Sequence, residues 1–157
     1  MGNEKMMNGF CNQMADILEL IQHMFKNATK NIEITHIQFM FMKTIQIYQH
    51  MSIGKIVKTL GWDQGNVSNM CKKLEKKGWI SRERNPLDER VVLVSLTQQG
   101  EDILNRIQEY NEKQMNRIFD ILSEEEVKMA EMLFSKILTS YQKLIYEKEV
   151  SECQNSV

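Results

Sequence analysis

The sequence predicts a mainly α fold with one small β-hairpin. Three observations carry that reading. Apolar residues recur at helical spacing over most of the chain. Only seven Gly and one Pro occur in 157 residues, too few to break up long helices. The one stretch with β character, GWISRERNPLDERVVLVSLTQQG at residues 78–100, contains that single proline, Pro86. It lies between two short runs rich in aromatic and β-branched residues, as strands are.

Taken in order, Phe10, Met14, Ile17, Leu18, Ile21, Met24 and Phe25 keep helical spacing and predict a helix from Phe10 to Phe25. Thr35 and Gln38 have capping-box spacing, so a second helix starts there and runs through Met40, Phe41, Ile45 and Tyr48. A short third helix has Ser52 as N-cap, a stripe of Ile53, Ile56, Val57 and Leu60, and Gly61 as its stop. After the tight turn Gly61-Trp62-Asp63, Asp63 caps a fourth helix whose buried stripe is Val67, Met70, Cys71 and Leu74, and Gly78 ends it. Strands are expected at residues 79–84 and 91–97, with Asn85, Pro86 and Asp88 supplying the turn chemistry. The rest reads as helix. Ile103, Leu104, Ile107, Tyr110, Met115, Ile118 and Leu122 mark one long segment. Ser123 and Glu126 form another capping box, and Val127, Ala130, Leu133, Phe134, Ile137, Tyr141, Leu144 and Ile145 mark the last helix. Residues 149–157 are expected to be a polar, frayed tail.

The totals bound the function. Apolar residues make up 42% of the chain, enough for a single domain, residues 1–157, with a real core. The twelve Met are scattered and read as core and helix filler. Net charge is only −1, yet residues 52–90 hold nine basic against five acidic side chains, a net of +4, leaving −5 for the rest. A basic middle between acidic flanks is the footprint of a lobe that meets a polyanion, although a solvated lysine face would carry the same residues. Cys11, Cys71 and Cys153 are odd in number and widely spaced, so no disulfide framework is expected. The N-terminus lacks a signal-peptide pattern, and the most apolar stretch, ITHIQFMFMKTIQIY, is too short and too polar to span a bilayer. A cytoplasmic chain without a membrane partner is therefore expected. His23, His36 and His50 have no metal-ligand spacing, and no phosphate loop, G-x-S-x-G or H-E-x-x-H occurs, so neither a metal, a cofactor nor an enzyme is expected.

Short helix, tight turn, second helix and hairpin in that order make a winged helix-turn-helix, in which the second helix enters the DNA major groove. With Val67, Met70, Cys71 and Leu74 facing inward, the outer face presents Gln64, Asn66, Ser68, Asn69, Lys72, Lys73 and Lys76. Amides can bond base edges, while hydroxyls and ammonium groups suit phosphates. On the hairpin, Arg90 is the candidate for a narrow, negative minor groove, with Asp88 placed to hold its guanidinium. Arg82 and Arg84 lie on the strand leading in and are candidates for phosphate contact.

The stretch LEKKGWISRERNPLDERVVLVSLTQQGEDIL resembles the winged-helix core of MarR-type transcription regulators. The carriers are Leu74-Glu75 with Gly78, Asp88 with Arg90, and Leu96-Thr97 with Gly100, all at matching spacing. The resemblance implies a winged helix-turn-helix lobe, residues 34–100, plus a helical dimerisation lobe, residues 8–30 and 101–148. It implies a homodimer on a pseudo-palindromic double-stranded operator, repression of transcription, and release by a small anionic or aromatic effector. It also implies a redox candidate, because Cys11 lies roughly where peroxide-sensing members carry their reactive cysteine. Two alternatives stand beside this reading. One is a thiol-based redox-sensing repressor acting through Cys11. The other is a winged-helix protein-interaction module without specific DNA binding.

Overall fold

Every helix cap expected from the sequence is formed in the computed structural model, which describes the backbone of residues 2–154 and the side chains of residues 4–144. The elements are α1 (Gly2–Ala28), α2 (His36–Tyr48), β1 (Met51–Ser52), α3 (Ile53–Leu60), α4 (Gln64–Lys76), β2 (Ile80–Asn85), β3 (Asp88–Leu96), α5 (Gln98–Phe119) and α6 (Glu124–Gln154). Thr35 and Gln38 close a reciprocal capping box on α2. Ser52 accepts from the Lys55 amide at 3.2 Å, and Asp63 from the Asn66 amide at 2.8 Å. These contacts satisfy donors that a helix start otherwise leaves bare. Gly61 (φ 66°) and Gly78 (φ 74°) take the left-handed backbone that ends α3 and α4. At Gly78 the closure is a Schellman motif. The Gly78 amide donates to the Glu75 carbonyl, and the Trp79 amide to the Leu74 carbonyl.

The chain forms two compact units, Met1–Glu112 and Lys113–Val157, with the boundary inside α5. The first holds the core. Phe41, Met42 and Ile45 of α2, Ile56 of α3, Val67, Cys71 and Leu74 of α4, Val94 of β3, and Leu104 and Ile107 of α5 are all buried. Trp62, from the turn between α3 and α4, stacks on Phe41 with ring centroids 5.9 Å apart. Burying one stripe of α4 in this core is what turns its polar face outward.

The sheet is antiparallel in the order β1-β3-β2. β1 is an addition to the sequence reading. Met51 and Ser52 pair with Val94 and Leu93, and two residues are too few to show an alternation. β3 starts at Asp88, three residues earlier than expected, which shrinks the turn to Pro86-Leu87. Trp79 lies just outside β2 yet is buried. α1 extends from Gly2, well before the expected Phe10. α5 stops at Phe119, so Leu122 belongs to the following turn rather than to the long helix. α6 continues to Gln154, through most of the segment expected to fray, because nothing between 149 and 154 is Gly or Pro. Residues 155–157 and the side chains of Ile145 and Cys153 lie outside the described residues.

Candidate nucleic-acid interface

α4 presents its polar face as expected. Gln64, Asn66, Asn69, Lys72, Lys73 and Lys76 are exposed, whereas Ser68 is half-buried. Asn66 is held in place, because its side-chain amide as well as its backbone N–H donates to the Asp63 carboxylate. That leaves its carbonyl oxygen, and the amides of Gln64 and Asn69, as the freest groups for base edges. Asn66, Asn69 and Lys73 also edge a cavity of about 610 Å³ whose apolar wall is Ile37, Trp62 and Met70.

On the hairpin, Arg84 and Arg90 are exposed. The strand register is irregular beside Arg90. Arg84 pairs with Val92, but the next β2 residue, Asn85, pairs with Asp88. Glu89, Arg90 and Val91 therefore lie opposite a single step of β2. Such an irregularity bends a ribbon and redirects its side chains. The turn is fixed by two side-chain bonds: Asn85 Oδ1 accepts from the Leu87 amide at 2.9 Å, and Asp88 Oδ1 from the Arg90 amide at 3.1 Å.

Two expectations are corrected. Asp88 does not clamp the Arg90 guanidinium; it is two residues away, close enough to turn back on the Arg90 backbone N–H instead. Arg82 is half-buried rather than free at the surface. Its guanidinium donates through both Nε and Nη2 to Glu75 of α4, so it ties the hairpin to that helix. The bond holds the Glu75 carboxyl below its ordinary range and raises Arg82. Arg84 makes only a long, solvated pair with Glu89, at 4.0 Å.

Lys77 is likewise half-buried and tied back to the protein. Its ammonium donates to the Glu33 carbonyl and sits 4.4 Å from the Trp79 ring centroid. Conversely, Lys55 and Lys58 on α3 are exposed, with Lys55 5.2 Å over the Tyr48 ring, and they extend the basic surface beyond α4 and the hairpin. Their signal lay in the charge count of residues 52–90. Cys11 is exposed on α1 and Cys71 is buried in α4, where burial pushes its thiol up to about 11. Among the described residues no helix is long and apolar enough to cross a membrane.

Comparison with known proteins agrees with this arrangement. The family model described as transcriptional regulator SarA/Rot matches residues 23–107, more than half of the chain. The HTH-type transcriptional regulator SarZ of Staphylococcus epidermidis is 28% identical over 121 residues, covering 77% of this chain and 81% of its own. The apo structure of MarR from E. coli is 26% identical, with a TM-score of 0.63, and the match covers 81% of this chain and 96% of that one. FabT of Streptococcus pneumoniae, solved in complex with DNA, shares the fold at a TM-score of 0.76 and 22% identity, covering 89% and 98%. The chain thus belongs to the SarA/Rot family and is a DNA-binding, winged-helix transcription regulator of the MarR type.

Proposed function

We propose that this regulator binds a pseudo-palindromic operator as a homodimer in the cytoplasm, represses transcription there and has no catalytic role. The observation that carries the DNA reading is one unit presenting both parts of a winged reader. The amide- and lysine-bearing face of α4 suits the major groove, and a hairpin carrying an exposed Arg90 suits the minor groove. FabT, a protein of the same fold, has been solved in complex with DNA. The assignments of Gln64, Asn66, Ser68, Asn69, Lys72, Lys73, Arg84 and Arg90 to DNA contact belong to this reading. Arg82 and Asp88 act in it as positioning residues.

Support for the dimer comes from apolar faces that a lone chain leaves wet. On α1, Met6, Met7, Phe10, Leu18 and Ile21 are exposed, and on α6 so are Met129, Met132, Leu133, Phe134, Leu138 and Tyr141. Exposed apolar surface on this scale marks an interface. Two copies would set two recognition helices about 34–36 Å apart, one turn of DNA. For the effector, the cavity beside α4 offers an aromatic and aliphatic wall with Lys73 at its edge, which suits a small aromatic anion. A ligand there would occupy the flank of Asn66 and Asn69 and so compete with the operator. A second input, oxidation of Cys11, is supported by its exposure.

The test is a titration of the purified chain against DNA from upstream of its own gene, with excess competitor, near physiological salt. Tight binding abolished by scrambling the site supports the reading. Binding no better than to competitor, both with and without reductant, removes it.

A further inference from the structure

The tip of the hairpin is apolar, and the fold gives no reason for it. Leu87 is 96% exposed, more than any other large apolar side chain among the described residues. It shares the two-residue turn with Pro86, between the paired Asn85 and Asp88. Neither residue has the positive φ that tight hairpin turns use, and turn chemistry favours Gly, Asn or Asp at such positions. Among the described residues Leu87 buries almost none of its side chain, so it adds little to the packing of the fold. Its amide is nevertheless tied to Asn85, and the backbone N–H of Arg90 to Asp88, so the backbone of the tip has a fixed shape. Charge does not account for it either. From Arg82 to Arg90 the hairpin carries three arginines against Glu83, Asp88 and Glu89, a net of zero. A neutral ribbon attracts phosphate weakly, so its tip must gain affinity by contact.

We propose that Leu87 is a specificity-determining residue that enters the minor groove beside Arg90 and selects A·T over G·C pairs. The inference rests on the DNA reading above. In the minor groove, A·T and T·A pairs offer only acceptors, while G·C adds the guanine N2 amino group. An isobutyl group packed on the groove floor meets no protrusion at A·T. At G·C it meets an amino group that it both crowds and strips of water without offering an acceptor. Arg90 supplies attraction to the narrow groove, and Leu87 supplies rejection of guanine. Apolar side chains are used in this groove by architectural DNA-binding proteins, so the chemistry is suited to the place.

The experiment replaces each A·T pair flanking the recognition-helix contacts of the operator, one at a time, by G·C and by inosine·C. Inosine keeps the major-groove face of guanine and lacks the N2 amino group. For the wild-type chain at the tip position, G·C is expected to weaken binding about tenfold, and inosine·C to restore it. Leu87→Ala is expected to bring the G·C penalty within about twofold, and Leu87→Met to restore it. Because Leu87 is outside the core, these variants fold as the wild type does. If Leu87→Ala keeps the full penalty, or if inosine·C binds as poorly as G·C, the proposal is overturned. Arg90→Ala separates the two levels. A loss of affinity on every duplex with the Leu87 result negative leaves the DNA reading standing and removes only the leucine's role. No sequence-specific binding by the wild type removes both.

Discussion

The Thr97 hydroxyl donates to the Gly78 carbonyl at 2.6 Å and accepts from the Gly100 amide at 3.1 Å. The Thr97 amide meanwhile donates to the Trp79 carbonyl at 3.1 Å. One threonine thus joins the end of α4 to the start of α5, with the whole hairpin looped out between them. Gly100 completes the joint by having no side chain, since a Cβ there would lie 2.1 Å from the Trp79 carbonyl oxygen. The L-E-x-x-G and L-T-x-x-G motifs are therefore two halves of one contact.

Gly100→Ala is expected to destabilise the chain by more than about 2 kcal/mol, because its clash is with backbone that cannot move aside cheaply. Thr97→Ala should cost about 1–2 kcal/mol, through the lost cap and the unmet Gly78 carbonyl. Thermal unfolding measures both. A Gly100→Ala variant that melts with the wild type would show that the joint is not formed.

The Glu75–Arg82 pair gives stability a pH dependence of known sign. The Glu75 carboxyl is lowered in the fold from its ordinary value of 4.5, chiefly by the hydrogen bond from Arg82. Its contribution is therefore present above that ordinary value and fades as pH falls through the lowered one. Both side chains are partly solvated, so the contribution is about 0.5–1 kcal/mol. Glu75→Gln should lower the melting temperature at pH 7 and converge with the wild type on acidification. A difference that persists once the carboxyl is fully protonated would sink this account.

The two described thiols should differ sharply in reactivity. Burial keeps Cys71 protonated at neutral pH, while Cys11 stands in solvent. In a Cys153→Ser background, a disulfide reagent at pH 7.5 should titrate one thiol per native chain and two after denaturation. Two fast thiols in the native chain would contradict the packing of α4.

Gln49 holds φ 56° and ψ −129°, a conformation that L side chains rarely adopt, where α2 gives way to β1. Its side chain is exposed, so Gln49→Gly removes strain and little else. The expected gain is about 1 kcal/mol, read as a rise in melting temperature. A neutral or destabilising result would mean that the side chain has bonds worth more than the strain.

Operator binding should separate the hairpin from the helix. Arg90→Ala is expected to weaken specific binding at least tenfold with the melting temperature unchanged, as a minor-groove arginine would. Lys72→Ala or Lys73→Ala should weaken binding evenly across sequences and flatten the salt slope by about one unit, as lost phosphate contacts do. Equal affinity of Arg90→Ala and wild type would remove the hairpin from the interface.

Local chemistry was the legible part of this fold. Thr35, Ser52, Asp63 and Ser123 announce helix starts because capping acts within three residues, and Gly61 and Gly78 announce stops for the same reason. β1 was hidden because a two-residue strand exists only by pairing with β3, more than forty residues on. In the candidate site, the outward face of α4 followed from the stripe facing the core. The partners of Arg82 and Asp88 did not follow, because nearness in sequence cannot tell a guanidinium from an amide as the acceptor's target, nor show that Glu75 lies within reach across two elements.

Lys77 and Arg82 are half-buried and hydrogen-bonded to the protein itself, whereas the other seven cations of residues 52–90 are exposed: Lys55, Lys58, Lys72, Lys73, Lys76, Arg84 and Arg90. Each phosphate contact forgone spares the complex a share of counterion release. With a slope near 0.9 per contact, two fewer phosphate contacts would make a doubling of salt about 3.5-fold less disruptive. On the DNA-contact reading proposed above, the ties of these two basic residues are expected to make binding less sensitive to ionic strength.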